Sequence, residues 1–72
     1  MKNAKRQKVH KPYFVLRGFQ KAAEYSDKYM GELLSCSPRT YNDKVNGWND
    51  FTPLEARELA RVFSTSQDVL FS

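Results

Sequence analysis

Residues Ser26 to Gly47, SDKYMGELLSCSPRTYNDKVNG, constrain the fold more than any other stretch of this 72-residue chain. Ser26 is a helix-capping residue, and Asp27 follows it in the first turn, where the helix dipole favours an acid. Tyr29, Met30, Leu33 and Leu34 then recur at helical spacing as one buried stripe, which predicts a helix over about 27–34. Ser35 and Cys36 leave room only for a tight turn. Ser37 caps the next helix, over about 38–46. Pro38 stands at its first position, where no N–H is needed, and Gly47 suits a left-handed stop. Gly31 is a poor helix former in mid-helix, so its presence predicts that the two helices cross there with their backbones close.

The remainder of the chain reads as helix throughout. Tyr13, Leu16, Phe19, Gln20 and Ala23 share a stripe, giving a first helix near 13–24 with Gly18 inside it. Thr52-Pro53-Leu54-Glu55 is a capping box with proline at the first helical position. The helix it starts extends to about Phe63, and Leu54, Leu59, Val62 and Phe63 are its expected core residues. Ser66 caps a last short helix, Gln67 to Phe71. Nothing alternates with the period of a strand. The expected architecture is all-α, five helices in one domain over residues 12–72.

A chain this short has a thin core. Its single cysteine, Cys36, cannot form an intrachain disulfide, so helix packing must hold it together, in keeping with a reducing cytoplasm. The longest apolar run, Tyr13 to Leu16, is too short to cross a membrane. Residues 1–11 carry Lys2, Lys5, Arg6, Lys8 and Lys11 and no acid. The rest of the chain sets the other seven of its twelve cations against all eight acids. A basic, flexible N-terminal arm therefore precedes a nearly neutral globule. Such arms track nucleic-acid phosphates or enter a minor groove, or they simply solvate.

Two capped helices joined by a tight turn form a helix-turn-helix, a device that lays its second helix in the major groove of DNA. On that second helix Tyr41 and Val45 face inward. Arg39, Thr40, Asn42, Asp43 and Lys44 mostly face outward. Arginine near the start of such a helix suits a bidentate contact to guanine, the alternative being a surface ion pair. Lys28 and Lys44 suit phosphates, or else are solvated.

Ser26 through Leu34, Ser37-Pro38-Arg39-Thr40-Tyr41, Lys44-Val45-Asn46-Gly47, Phe51 to Glu55 and Ser66 to Phe71 together resemble the lambda-repressor-like (Cro/repressor) family of small phage-type regulators. The resemblance spans about residues 13 to 71. It implies a sequence-specific transcriptional regulator acting on double-stranded DNA in the bacterial cytoplasm. Its base contacts would come from Ser37, Pro38, Arg39, Thr40, Asn42 and Asp43. Its backbone contacts would come from Ser26, Asp27, Lys28, Lys44 and Asn46, with Lys5, Arg6, Lys8 and Lys11 of the arm. The family often has alanine where Gly31 stands and glycine where Ser35 stands, and many members carry basic or amide residues in place of Asp27 and Asp43.

One recognition helix reads a short half-site, so a weak homodimer on a pseudo-palindromic operator is expected, through Trp48, Val69, Leu70 and Phe71. Trp48 also suits packing over the end of the third helix. The carboxylates Asp27, Asp43 and Asp50 leave open a second reading, an antirepressor-type module that sequesters a partner regulator. A non-specific nucleic-acid binder using the arm alone is a third. No enzyme is expected: there is no metal-ligand spacing, no second histidine, no phosphate-cradling glycine loop and no nucleophile with a base. Neither a cofactor nor a small-molecule ligand is implied.

Overall fold

The computed structural model describes residues 7–72. Five helices follow one another: α1 Phe14–Ala22, α2 Asp27–Leu33, α3 Pro38–Asn46, α4 Pro53–Val62 and α5 Gln67–Leu70, with no strand among the described residues. Four of the five begin as their sequences require. Ser26, Ser37, Thr52 and Ser66 each accept the backbone N–H three residues on, which satisfies a donor the helix cannot. At Thr52 the box is complete, because the Glu55 carboxylate accepts the Thr52 N–H in return.

The helix ends are less conventional. Glu24, Ser35 and Ser64 all adopt left-handed backbone, with φ of 60°, 58° and 52°. Each sits just past the end of a helix in a Schellman arrangement. After α2, Ser35 N–H donates to Glu32 C=O and Cys36 N–H donates to Gly31 C=O, at 3.2 and 2.8 Å. The same pair of bonds closes α1 through Glu24 and Tyr25 and α4 through Ser64 and Thr65. Only α3 ends on glycine, Gly47 at φ 106°. Non-glycine residues in this region cost on the order of 1 kcal/mol each.

Leu16, Met30, Tyr41, Val45, Leu59 and Leu70 form the buried core, one or two from every helix. Half-buried aromatics close its edge. Phe51 and Phe71 lie against Tyr13, and Phe63 lies between Phe19 and Tyr25. The structure differs from the sequence reading at several positions. Leu54 is exposed, because at the second residue of α4 it precedes the turn that meets the core. Tyr29 is 41% exposed and rests its ring on Tyr25 instead. Ala23 falls outside α1 as its C-cap and faces solvent. Among the described residues no helix is long and apolar enough to cross a membrane.

α2 packs on α3 more extensively than any other two helices pack. Gly31 is why. A Cβ there would stand 2.6 Å from the Cys36 carbonyl oxygen and 3.2 Å from Ser37 backbone atoms. The contact that excludes a side chain is therefore made by the turn folding back on α2.

Candidate nucleic-acid interface

On α3, Arg39, Asn42, Asp43 and Asn46 recur on the side opposite buried Tyr41 and Val45. Along this stripe the first turn differs from the rest. Ser37, Pro38 and Arg39 are exposed, and Thr40 is half-buried. Their polar groups make local bonds only: Ser37 Oγ accepts the Thr40 N–H at 3.1 Å and lies 2.9 Å from Thr40 Oγ1. Lys28, in the first turn of α2, is also exposed, as is the capping residue Ser26.

Beyond the first turn the polar side chains are committed within the molecule. Asn42 Nδ2 donates to Asp27 Oδ2 at 3.1 Å, and Asn42 Oδ1 accepts from Asn46 Nδ2 at 2.7 Å. Asp27, expected beside a phosphate, is instead a hub. Its Oδ1 accepts from Arg17 Nη1 and from Gln20 Nε2, both at 2.8 Å. Burial would raise the Asp27 carboxyl, but the bonds from Gln20, Asn42 and Arg17, with the Arg17 charge, outweigh it and hold the group below its usual range. Gln20 is only 4% exposed and uses its whole amide. Besides Asp27 it donates to the Tyr25 carbonyl at 3.0 Å, and its Oε1 accepts from Arg17 at 3.0 Å and from the Tyr41 hydroxyl at 2.8 Å. Two donors and two lone pairs are all that an amide has.

Lys44, expected as a phosphate contact, is also engaged elsewhere. Its Nζ bonds both Glu55 carboxylate oxygens, at 2.7 and 2.8 Å. Burial would raise Glu55, yet the Lys44 bonds, the Thr52 N–H and the Lys44 charge keep it below its ordinary value. The pair fastens the far half of α3 to the start of α4. Cys36, in the turn, is half-buried, and burial pushes its thiol up, away from the reactive thiolate.

The arm departs from expectation at its C-terminal end, where it follows the α3–α4 loop. Val9 N–H donates to the Gly47 carbonyl at 2.7 Å, and a Cβ at Gly47 would run into the His10 carbonyl oxygen. The His10 ring stacks on Tyr13 with centroids 4.0 Å apart. Its Nδ1 and Nε2 lie 2.6 and 2.8 Å from the carbonyls of Lys11 and Asn49, and the Asp50 carboxylate is 3.6 Å away. Asp50 also accepts from the Tyr13 hydroxyl at 2.8 Å. Burial first, then that bond and the Asp50 charge, push the hydroxyl up to about 12. Lys8 Nζ stands 5.2 Å over the Trp48 ring, and Lys8 and Lys11 are exposed. Lys5 and Arg6 lie outside the described residues.

The expected dimer contacts divide in the same way. Leu70 is fully buried and has no surface to offer, which corrects its assignment. Phe71 is half-buried against Tyr13 and Phe51, Trp48 is half-buried, and Val69 is exposed. Sequence reasoning missed Arg17 altogether. Its guanidinium reaches Asp27 and lies 5.9 Å from the Tyr41 ring, joining α1 to the α2–turn–α3 pair. The available signal was Gln20, a polar residue on an otherwise apolar stripe one turn from Arg17. No group of three or more His, Cys, Asp or Glu residues suited to a metal occurs among the described residues. No protein-family model, curated protein or solved structure matches this chain.

Proposed function

We propose that the chain is a sequence-specific, DNA-binding transcriptional regulator of the helix-turn-helix kind, with the first turn of α3 in the major groove. The observation that carries this reading is the contrast within α3. Ser37, Pro38 and Arg39 are exposed at one end of a helix whose other end and underside are fastened to α1, α2 and α4. A recognition helix needs that combination, because base edges are read by residues near its start while the rest of the helix holds its angle. Arg39 reads guanine through O6 and N7. Lys28, exposed in the first turn of α2, meets a phosphate, and Lys8 and Lys11 extend the phosphate contacts along the arm.

The reading narrows the residues expected from sequence. Asn42, Asn46, Asp27 and Lys44 act as internal ties and reach DNA only by giving up bonds they already make. The acids that favoured a protein-sequestering module are largely accounted for in the same way. Asp27 serves Arg17, Gln20 and Asn42, and Asp50 serves Tyr13.

Selection from random duplex DNA, followed by titration of the enriched site at two salt concentrations, tests the proposal. The expected result is an enriched motif whose log affinity falls against log salt with a slope of roughly −0.9 per phosphate neutralised. Arg39→Ala should cost about 1–3 kcal/mol on that site and relax one base position. Absence of enrichment, or equal losses on specific and random duplexes, contradicts it.

A further inference from the structure

We infer that the hollow among Tyr13, Asp50, Phe51, Ala56 and Phe71 binds a primary alkylammonium group, whether the end of a lysine side chain or a free amine of that size. Tyr13 stands just before α1, Asp50 and Phe51 belong to the α3–α4 loop, Ala56 lies in α4 and Phe71 stands just after α5. Together they line a partly open space of about 190 Å³. That is well below the roughly 300–1,000 Å³ of a pocket for a drug-sized ligand, so the space suits a side-chain-sized group.

The hydrogen bonds around the hollow decide what it can hold. Asp50 Oδ1 accepts from the Tyr13 hydroxyl and from the Phe51 N–H, both at 2.8 Å. Burial first, then that bond and the Asp50 charge, hold the Tyr13 hydroxyl at about 12, so its hydrogen stays with Asp50. The N–H groups of Tyr13, Ala56 and Phe71 are spent on the carbonyls of Val45, Thr52 and Gln67. Asp50 Oδ2 takes no bond among the described residues. The side chains therefore leave a ligand only acceptors, one of them charged, between aromatic walls. An anion finds no side-chain donor there. A cation with N–H groups finds the free carboxylate oxygen and rings that attract positive charge.

Two basic side chains stand close by, and neither takes that oxygen. Lys44 Nζ lies 5.9 Å from the centre of the Phe51 ring, but its bonds go to both oxygens of Glu55. His10 stacks on Tyr13. Its Nε2 lies 2.8 Å from the Asn49 carbonyl and 3.6 Å from Asp50 Oδ1, the oxygen already shared by Tyr13 and Phe51. Arg57 follows Ala56 but is exposed and lies about 100° further round α4. One free oxygen is too little for the two-pronged fork of a guanidinium, and it suits the compact charge of a primary ammonium. Phe51 and Phe71 supply the apolar wall for its stem. This inference does not rest on DNA binding, since none of the five residues belongs to α3.

Titration of the isotope-labelled full chain with n-butylammonium, followed by amide chemical shifts, tests it. The expected result is a saturable change confined to residues around the hollow, with affinity in roughly the millimolar range for so small a ligand. Butyrate and butanol, which share the stem, should produce none, and propylguanidinium should bind more weakly. Asp50→Asn keeps an oxygen for Tyr13 and Phe51 but should weaken binding by about threefold or more, a modest factor because Asp50 is partly solvated. Ala56→Leu should fill the hollow and abolish binding, with folding checked by melting temperature. Equal binding of a lysine blocked at both backbone ends identifies a protein side chain as the ligand, and binding of butylammonium alone identifies a free amine. No saturable change, equal binding of butyrate or propylguanidinium, or indifference to Asp50→Asn or Ala56→Leu overturns the inference.

Discussion

Along α3, the first turn and the turns that follow put their polar side chains to different uses. From Ser37 to Thr40 the side chains cap their own helix or face solvent. From Asn42 to Gly47 three polar groups reach other elements, Asn42 to α2, Lys44 to α4 and the Gly47 carbonyl to the arm, while Asn46 bonds Asn42 along the helix. The difference separates recognition from support. A bonded group can serve a ligand only by forfeiting an internal bond, at about 0.5–1.5 kcal/mol for a neutral one and more for a charged one. Arg39 forfeits none of the bonds described here. The helix thus divides into a short reading end and a longer anchored end, and the anchored end defines the angle at which the first turn is offered.

Perturbing the anchored end should cost stability, in decreasing order of the crowding or bonding removed. Gly31→Ala forces a methyl against the Cys36 carbonyl and should lower stability by about 2 kcal/mol, net of its better helix propensity. In a domain of this size that is roughly 10 °C in melting temperature, measurable by calorimetry. Asp27→Ala strands donors on Arg17, Gln20 and Asn42 and should cost about 1–2 kcal/mol, discounted because the carboxylate is partly solvated.

The same anchoring has a pH signature. Asp27 and Glu55 both bind protons more weakly in the folded chain than at their ordinary values of 3.8 and 4.5. Their contribution is therefore fully present above those values and lost as pH falls through the lower folded ones. Chemical denaturation across acid pH should show stability falling there, with a shallower fall in Asp27→Ala.

Ser35→Gly relieves a left-handed serine at the turn and should stabilise by about 0.5–1 kcal/mol, leaving DNA affinity unchanged. Arg39→Ala, at the reading end, should move stability by no more than about 0.5 kcal/mol, although it weakens specific binding and relaxes one base position. A large loss of stability from Arg39→Ala, or none from Asp27→Ala, would erase the contrast between the two ends.

What was legible in the sequence was local. The four capped starts, Pro38 and Pro53 at first helical positions, the Thr52–Glu55 box, the glycine stop at Gly47 and the close approach at Gly31 each depend on residues a few positions apart. Asp27 shows where that reach ends. Placed in a first turn it reads as a dipole partner beside phosphate, but its bonding partners are 7, 10 and 15 residues away on two other helices. Lys44 finds Glu55 across a loop for the same reason. Periodicity identified which side of α4 is apolar but not that Leu54 lies short of the core. The arm's attachment through Val9 and His10 depends on where the α3–α4 loop comes to rest, which a charge count does not report.

The most direct test of the division within α3 is a titration of the isotope-labelled chain with its selected duplex, followed by amide chemical shifts. The account predicts that the largest changes gather at Lys28 and at Ser37 through Thr40, with Asn42, Lys44 and Asn46 changing little and the Asp27 bonds intact. Changes centred on the later turns of α3 or on α4, or none at all with a duplex of any sequence, would contradict it.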